Sequence, residues 1–291
     1  MHDASVPGKK SSKFPTAKSG TKQLLLKGIL KVNSQASSKH IDITTFKSKE
    51  VAKQITLLEF EIFERIRPRE CLNQAWNKQN RETKAPNIFA TIRRTNFLVN
   101  LVTNEILKYE SLKDRQKALK KFVKIAEECR KLGNYNAVLA MVGGLRSVSV
   151  HRLKKTWEGL SQNTLQLFSN LEKLVNQEQN YRLLREVIKT QNPPCIPYIG
   201  VYLQDLTFIE DGNQDLVNNK IHFFKRRKLG IVIRNIQRFQ QFPYNFTINP
   251  EIRSKLANTD ICMDEDMQYE LSLEREPKKP IGNTFSTPIS N

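Results

Sequence analysis

The chain has 291 residues, with 48 Lys and Arg against 29 Asp and Glu, for a net charge of +19. That length can bury a core without disulfide or metal staples, and such a charge calls for an acidic partner: nucleic acid, an anionic membrane or an acidic protein. Cys71, Cys129, Cys195 and Cys262 stand too far apart for a zinc knuckle, and with neither a signal-peptide core nor an apolar run of about 18 residues the sequence reads as intracellular, cytoplasmic and soluble.

Residues 1–48 carry nine lysines against Asp3 and Asp42, with Ser-rich pieces and few large apolar side chains, which predicts a basic, mostly disordered arm. Its apolar island, Leu24 to Leu26 with Ile29, Leu30 and Val32, is either a short docked helix or an isolated patch. Val51, Ile55, Leu58, Ile62 and Ile66 then recur every three or four residues until Pro68 and predict a first helix. Pro86 suits the first turn of a second, running through Ile88, Ile92, Phe97, Leu98, Leu101, Val102 and Ile106. Leu119, Phe122, Val123, Ile125 and Ala126 predict a third, closed by Gly133. Ser161 and Thr164 open another run through Phe168, Leu171 and Leu174, and Tyr181 to Ile188 forms the next, stopping before Pro193-Pro194.

Tyr198, Val201, Tyr202 and Leu206 mark an apolar helix, Asp211-Gly212-Asn213 a tip, and the following amphipathic segment a return, which together make a helical hairpin. Ile221, Phe224, Lys228 and Val232 share one face of the return helix, which predicts Phe223 and Phe224 in the core and Lys225-Arg226-Arg227-Lys228 in solvent. Residues 263–291 hold six acids against three bases, and Pro277, Pro280 and Pro288 predict an unstructured tail from about residue 275. Period-two alternation is scarce before Phe246, so the class is all-α.

Searching for chemistry excludes several functions. Gly8-Lys9-Lys10-Ser11 lacks the upstream glycine of a phosphate-binding loop. His2, His40, His151 and His222 are scattered, and no G-x-S-x-G elbow occurs. No metal, cofactor or covalent catalysis is expected. A nucleic-acid surface has its best support in the 225–228 cluster beside two phenylalanines, but the core reading of those rings leaves no nucleic acid expected.

Residues 193–213, P-P-C-I-P-Y-I-G-V-Y-L-Q-D-L-T-F-I-E-D-G-N, followed by F-F-K-R-R-K at 223–228, resemble the catalytic domain of Ras-type guanine-nucleotide exchange factors, the Son of sevenless family. I-R-P-R-E-C-L-N-Q-A-W-N-K (66–78), A-P-N-I (85–88), L-G-N-Y-N-A-V (132–138), V-H-R-L-K-K-T-W (150–157) and N-Y-R (180–182) extend the resemblance in family order. It implies an exchange domain over 49–274, a multi-helix orthogonal bundle whose protruding hairpin wedges into a Ras-like or Rap-like small GTPase and promotes GDP release without covalent chemistry.

By that resemblance Thr207 approaches the magnesium region, where the family carries a larger aliphatic residue. Asp211, one methylene shorter than the usual Glu, competes for phosphate-loop partners, and otherwise reads as a turn residue. GTPase contacts are implied for Arg93, Arg146, Tyr181, Tyr198, Gln204, Phe208, Glu210 and Asn213, with Glu210 a substitute acid should the tip register differ. Arg93 otherwise reads as a solvated helix charge, and Arg146 stands where the family usually has Asn. Trp76 and Trp157 read as packing residues. The basic arm cannot contain the family's separate N-terminal exchanger-motif domain, and is expected to favour an anionic membrane, placing the protein peripherally at the inner face of the plasma membrane. The alternative is a pseudo-exchange scaffold that binds a GTPase without opening it.

Overall fold

The computed structural model describes residues 42–257 and 263–278, so the Leu24 to Val32 island, the arm up to residue 41 and the last thirteen residues lie outside it. Among the described residues are thirteen α-helices and one pair of two-residue strands, as the 3.6-residue periodicities require. No helix among them is long and apolar enough to cross a membrane.

Helix α1 (Ser48–Phe63) turns Val51, Ala52, Ile55, Phe60 and Phe63 inward; removing a side chain such as Ile55 from water contributes about 1.5–3 kcal/mol. It ends before a 3₁₀ segment, Pro68–Cys71. Within that segment the fully buried Glu70 accepts from the backbone N–H of Asn87 (2.8 Å) and Ile88 (3.1 Å). These are orphan donors of the first turn of α2 (Pro86–Leu107), where Pro86 has no N–H to satisfy. Trp76 is buried just beyond, as expected of a packing residue.

Helix α3 (Leu112–Lys131) closes as Gly133 predicted. Gly133 has φ +71°, its N–H bonds to the Arg130 carbonyl, and the Asn134 N–H reaches back to Cys129, which together make a Schellman motif. Asn134 then accepts from the Ala137 N–H at 3.0 Å and starts α4 (Tyr135–Leu145). Helix α4 lies against both α2 and α3. Its approach to α2 is so close at Gly144 that a Cβ there would sit 2.6 Å from the Val99 carbonyl.

Helices α5 (Gln162–Leu174) and α6 (Glu178–Thr190) follow, the latter opening with Gln179, Asn180 and Tyr181 in left-handed conformation. Trp157 packs on Phe168 and donates its indole N–H to the Val150 carbonyl, again a structural role. The hairpin consists of α7 (Ile199–Asp211), strands β1 (Leu216–Val217) and β2 (Lys220–Ile221), and α8 (Phe223–Gln240). Its base shares a core with the body: Ile199, Tyr202, Leu206, Leu229, Ile236 and Phe239 pack in one cluster with Phe60, Phe63 and Trp76.

Two expected boundaries move. The folded part begins by Asp42 rather than 49, because Ile43 is buried and Asp42 takes hydrogen bonds from Thr44 and Tyr109. After α9 (Pro250–Ala257) and α10 (Glu265–Arg275) it continues through Glu276, whose carboxylate accepts from the N–H groups of Lys155 (3.0 Å) and Thr156 (2.9 Å). Proline spacing cannot register a polar anchor whose partners lie 120 positions away.

Candidate functional surface

Helix α7 has two distinct sides. Ile199, Tyr202, Leu203 and Leu206, spaced three and four apart, face the core, while Gln204, Thr207, Phe208 and Asp211 repeat the same spacing on a ridge of partial or full exposure. Phe208 is 62% exposed on that ridge. The Thr207 hydroxyl donates to the Leu203 carbonyl at 2.9 Å, and Asp211 accepts from the Gln74 amide at 2.6 Å. Asn213 donates to the Ile209 carbonyl at 2.9 Å, folding the chain over the end of α7.

The turn does not fall at Asp211-Gly212-Asn213. Helix α7 ends there, and the chain reverses at Asn218-Asn219, both left-handed, between the paired strands. Beside this turn Phe223 is 76% and Phe224 56% exposed, with Ile221, Leu216 and Val217 also in solvent, so the expectation of core phenylalanines is overturned. The buried face of α8 is instead Lys225, Leu229, Val232, Ile236 and Phe239. Lys225, expected in solvent, is 3% exposed and pairs with Glu210 at 2.7 Å and Asp215 at 3.1 Å.

The Glu210 reading is corrected with it. Its side chain is 7% exposed, held by Lys225 on one oxygen and by the Asn73 N–H at 2.9 Å on the other; it faces inward and cannot replace Asp211 on the ridge. Although burial opposes charge on Lys225, hydrogen bonds to Glu210 and Asp215 keep its ammonium above the ordinary lysine range.

Tyr181 and Tyr198 come together, ring centroids 5.6 Å apart, at the start of α7. Arg185 ties α6 to α7 beside them: it clasps Asp205 with two hydrogen bonds of 2.7 and 2.9 Å, and donates to the Asn180 and Val201 carbonyls. Burial pushes the Tyr198 hydroxyl up to about 12, so it stays a neutral hydrogen-bonding group. The cleft beside Arg185, between α6, α7 and α8, holds about 190 Å³, below the roughly 300 Å³ at which small-molecule sites begin.

Arg93 and Arg146 lie on other helices than the hairpin. Arg93 is exposed on α2 over the Phe89 ring, and Arg146 ends α4 with its guanidinium 3.5 Å from Glu172. The residues that sequence reasoning missed are Asn73, Gln74 and Lys225. The first two carry a legible signal only in the polar pair before Ala75-Trp76, and their left-handed conformation is what aims them at the end of α7.

The chain is similar to known proteins over most of its length. The chain is 39% identical over 249 residues to Ras guanine nucleotide exchange factor J of Dictyostelium discoideum, covering 85% of this chain and 30% of that protein. It is 39% identical over 232 residues to Ras-specific guanine nucleotide-releasing factor 2 of Danio rerio, covering 79% and 19%. To Ras guanine nucleotide exchange factor Y of Dictyostelium discoideum it is 41% identical over 215 residues, 74% and 14%. The chain therefore spans less than a third of the length of these relatives. Residues 50–227 match the RasGEF domain, and the chain belongs to that family.

Proposed function

We propose that this domain promotes GDP release from a Ras-family small GTPase by inserting the α7 ridge beside the nucleotide. The observation that carries the reading is the ridge itself: Gln204, Thr207, Phe208 and Asp211 lie on one side of a helix whose other side is sunk in the core. The names of the relatives supply the reaction class. A GTPase holds GDP through phosphate and magnesium contacts, so a surface that binds the nucleotide-free form better than the loaded form shifts the population toward release. No bond is made or broken.

In this reading Thr207 enters the magnesium region and Asp211 draws away the cations of the phosphate-binding loop. Phe208 gives the apolar contact, as an exposed ring on a mostly polar ridge should. Arg93, Arg146, Tyr181, Tyr198 and Asn213 extend the surface. Single-turnover release of labelled GDP from a panel of Ras-like and Rap-like GTPases tests it: acceleration of at least one member is expected, and unchanged release across the panel refutes it.

A second reading, a scaffold that binds without opening, is favoured by one contact. Asp211 already accepts a short hydrogen bond from Gln74, which a phosphate-loop cation would have to displace. GTPase binding with unchanged release is its signature.

A further inference from the structure

A helical hairpin joined to a body only through its base can rock about that base, because its outer half has no packing partner. In this chain the outer half has one. Glu210, at the end of α7, accepts from the Asn73 N–H at 2.9 Å, and Asn73 belongs to the segment that follows Pro68–Cys71 rather than to the hairpin. That segment is itself anchored, since Glu70 accepts from Arg67, Asn87 and Ile88 and joins it to the start of α2. The other Glu210 oxygen meets the Lys225 ammonium at 2.7 Å at the start of α8. Lys225 also donates to the Glu210 carbonyl at 3.3 Å and pairs with Asp215 before β1 at 3.1 Å. Three parts of the chain therefore meet on one carboxylate: the body segment, the end of α7 and the start of α8.

Both charges are almost wholly withdrawn from water. Such a pair gives little net stability compared with well-packed apolar residues, whereas removing one member leaves an unpaired buried charge. Its chief effect is geometric, since a charge-assisted pair with a backbone N–H as third partner accepts only a narrow range of positions.

We infer that Glu210 and Lys225 are positioning residues that brace the outer half of the hairpin against the Asn73-Gln74 turn and so fix the angle at which the α7 ridge meets a GTPase. The role in exchange rests on the function proposed above; the brace does not. It is carried by the domain's own residues. Asp211, the neighbour of Glu210, gains its orientation from the same turn through Gln74, so the acid on the ridge and the acid in the brace are set by one piece of backbone.

The test reads angle and activity separately. Spin labels are placed on Gln214→Cys near the hairpin turn and Lys124→Cys on α3, both exposed positions, with Cys262→Ser. Cys71, Cys129 and Cys195 are buried, and their thiols are raised by burial, so they stay unlabelled. The parent should give one narrow distance distribution. Glu210→Gln should at least double its width and slow GDP release at saturating domain concentration about tenfold, as a misplacement of an ångström or so can. Should Glu210→Gln fail to fold, the double variant Glu210→Gln/Lys225→Met leaves no unpaired buried charge and should show the same broadening. An unchanged width in the double variant overturns the brace, whatever the exchange rate. Broadening with undiminished release overturns its positioning role. A parent that releases no GDP defeats the proposed function, while the width of its distribution still decides the brace.

Discussion

At the scale of single residues, environment rather than residue type decides what each acid does. Asp42 loses solvation by burial, yet hydrogen bonds from Tyr109 and Thr44 and the ammonium of Lys108 outweigh that loss and lower its carboxyl from 3.8 to about 2. A depressed carboxylate contributes stability above its unfolded value and loses it as pH falls through the folded one. The window is therefore pH 4 down to 2, and the contribution is fully present at neutral pH. Asp42→Asn should lower the melting temperature at pH 7 and flatten the acid limb of a melting-temperature profile; an unaltered limb would show that Asp42 is not a stabilising anchor. Asp211 is the contrasting case, exposed and held only by Gln74. Asp211→Ala should slow GDP release about tenfold with the melting temperature nearly constant, since exposed substitutions usually stay within about 0.5 kcal/mol. Thr207→Glu should slow it as well, and full activity in the double variant would remove the wedge assignment.

At the scale of elements, what was legible in the sequence was whatever repeats every three or four residues. The helix opening near Val51, the Pro86 start and the Gly133 stop emerge as read, because each depends on neighbours within a turn or two. The stripe on that first helix holds only in part: Val51 and Ile55 are buried, but Leu58 and Ile62 are half-buried and Phe60 and Phe63 take the inner face. The face of α8 was misread for a physical reason. Its true stripe runs Phe239, Ile236, Val232, Leu229 and then Lys225, whereas the two phenylalanines drew the reading onto Phe224 and Lys228; what makes burial of Lys225 tolerable is Glu210, fifteen positions earlier and beyond the reach of helical periodicity. The hairpin turn was misplaced because strands of two residues leave no alternation to detect. The ridge residues of α7 came from family resemblance, and periodicity alone would have separated its two faces without saying what the outer one meets. Helix contact supplies its own prediction. A Cβ on Gly144 would collide with Val99 and Val102 at 2.6 and 2.7 Å, whereas one on Gly143 would lie at an ordinary 3.4 Å from the Val99 side chain. Gly144→Ala should therefore cost about 1–3 kcal/mol through forced separation of α4 from α2. Gly143→Ala should be neutral or slightly stabilising, as a helical Gly to Ala change is where space allows. Equal melting temperatures for the two variants would mean that the close approach does not constrain the bundle.

At the scale of the whole molecule, the question is which positive charges belong to the fold and which to its surroundings. Residues 1–41 carry eight lysines and Asp3, seven of the nineteen net charges, so the remainder is still strongly basic. The structural limit of that arm is set by Ile43, which is buried, and by Lys121, which donates to the Phe46 carbonyl. Starting the chain at residue 49 removes both anchors. By the cost of emptying a buried Ile position, about 2–5 kcal/mol, it should melt at least about 5 °C lower than a chain starting at residue 42. Starting at 42 keeps both anchors and removes the eight lysines together with the Leu24 to Val32 island, so the salt-dependent part of the difference isolates the electrostatic role we propose for the arm. Each base near an acidic leaflet contributes about 1 kcal/mol, within a distance that salt shortens. The full chain should therefore bind phosphatidylserine vesicles more tightly than residues 42–291, with the gap closing as salt is raised, and release GDP from a vesicle-anchored GTPase faster while matching it on a soluble one. Equal vesicle binding by the two chains at low salt would mean that membrane attraction, if the protein has any, resides on the folded domain and not on the arm.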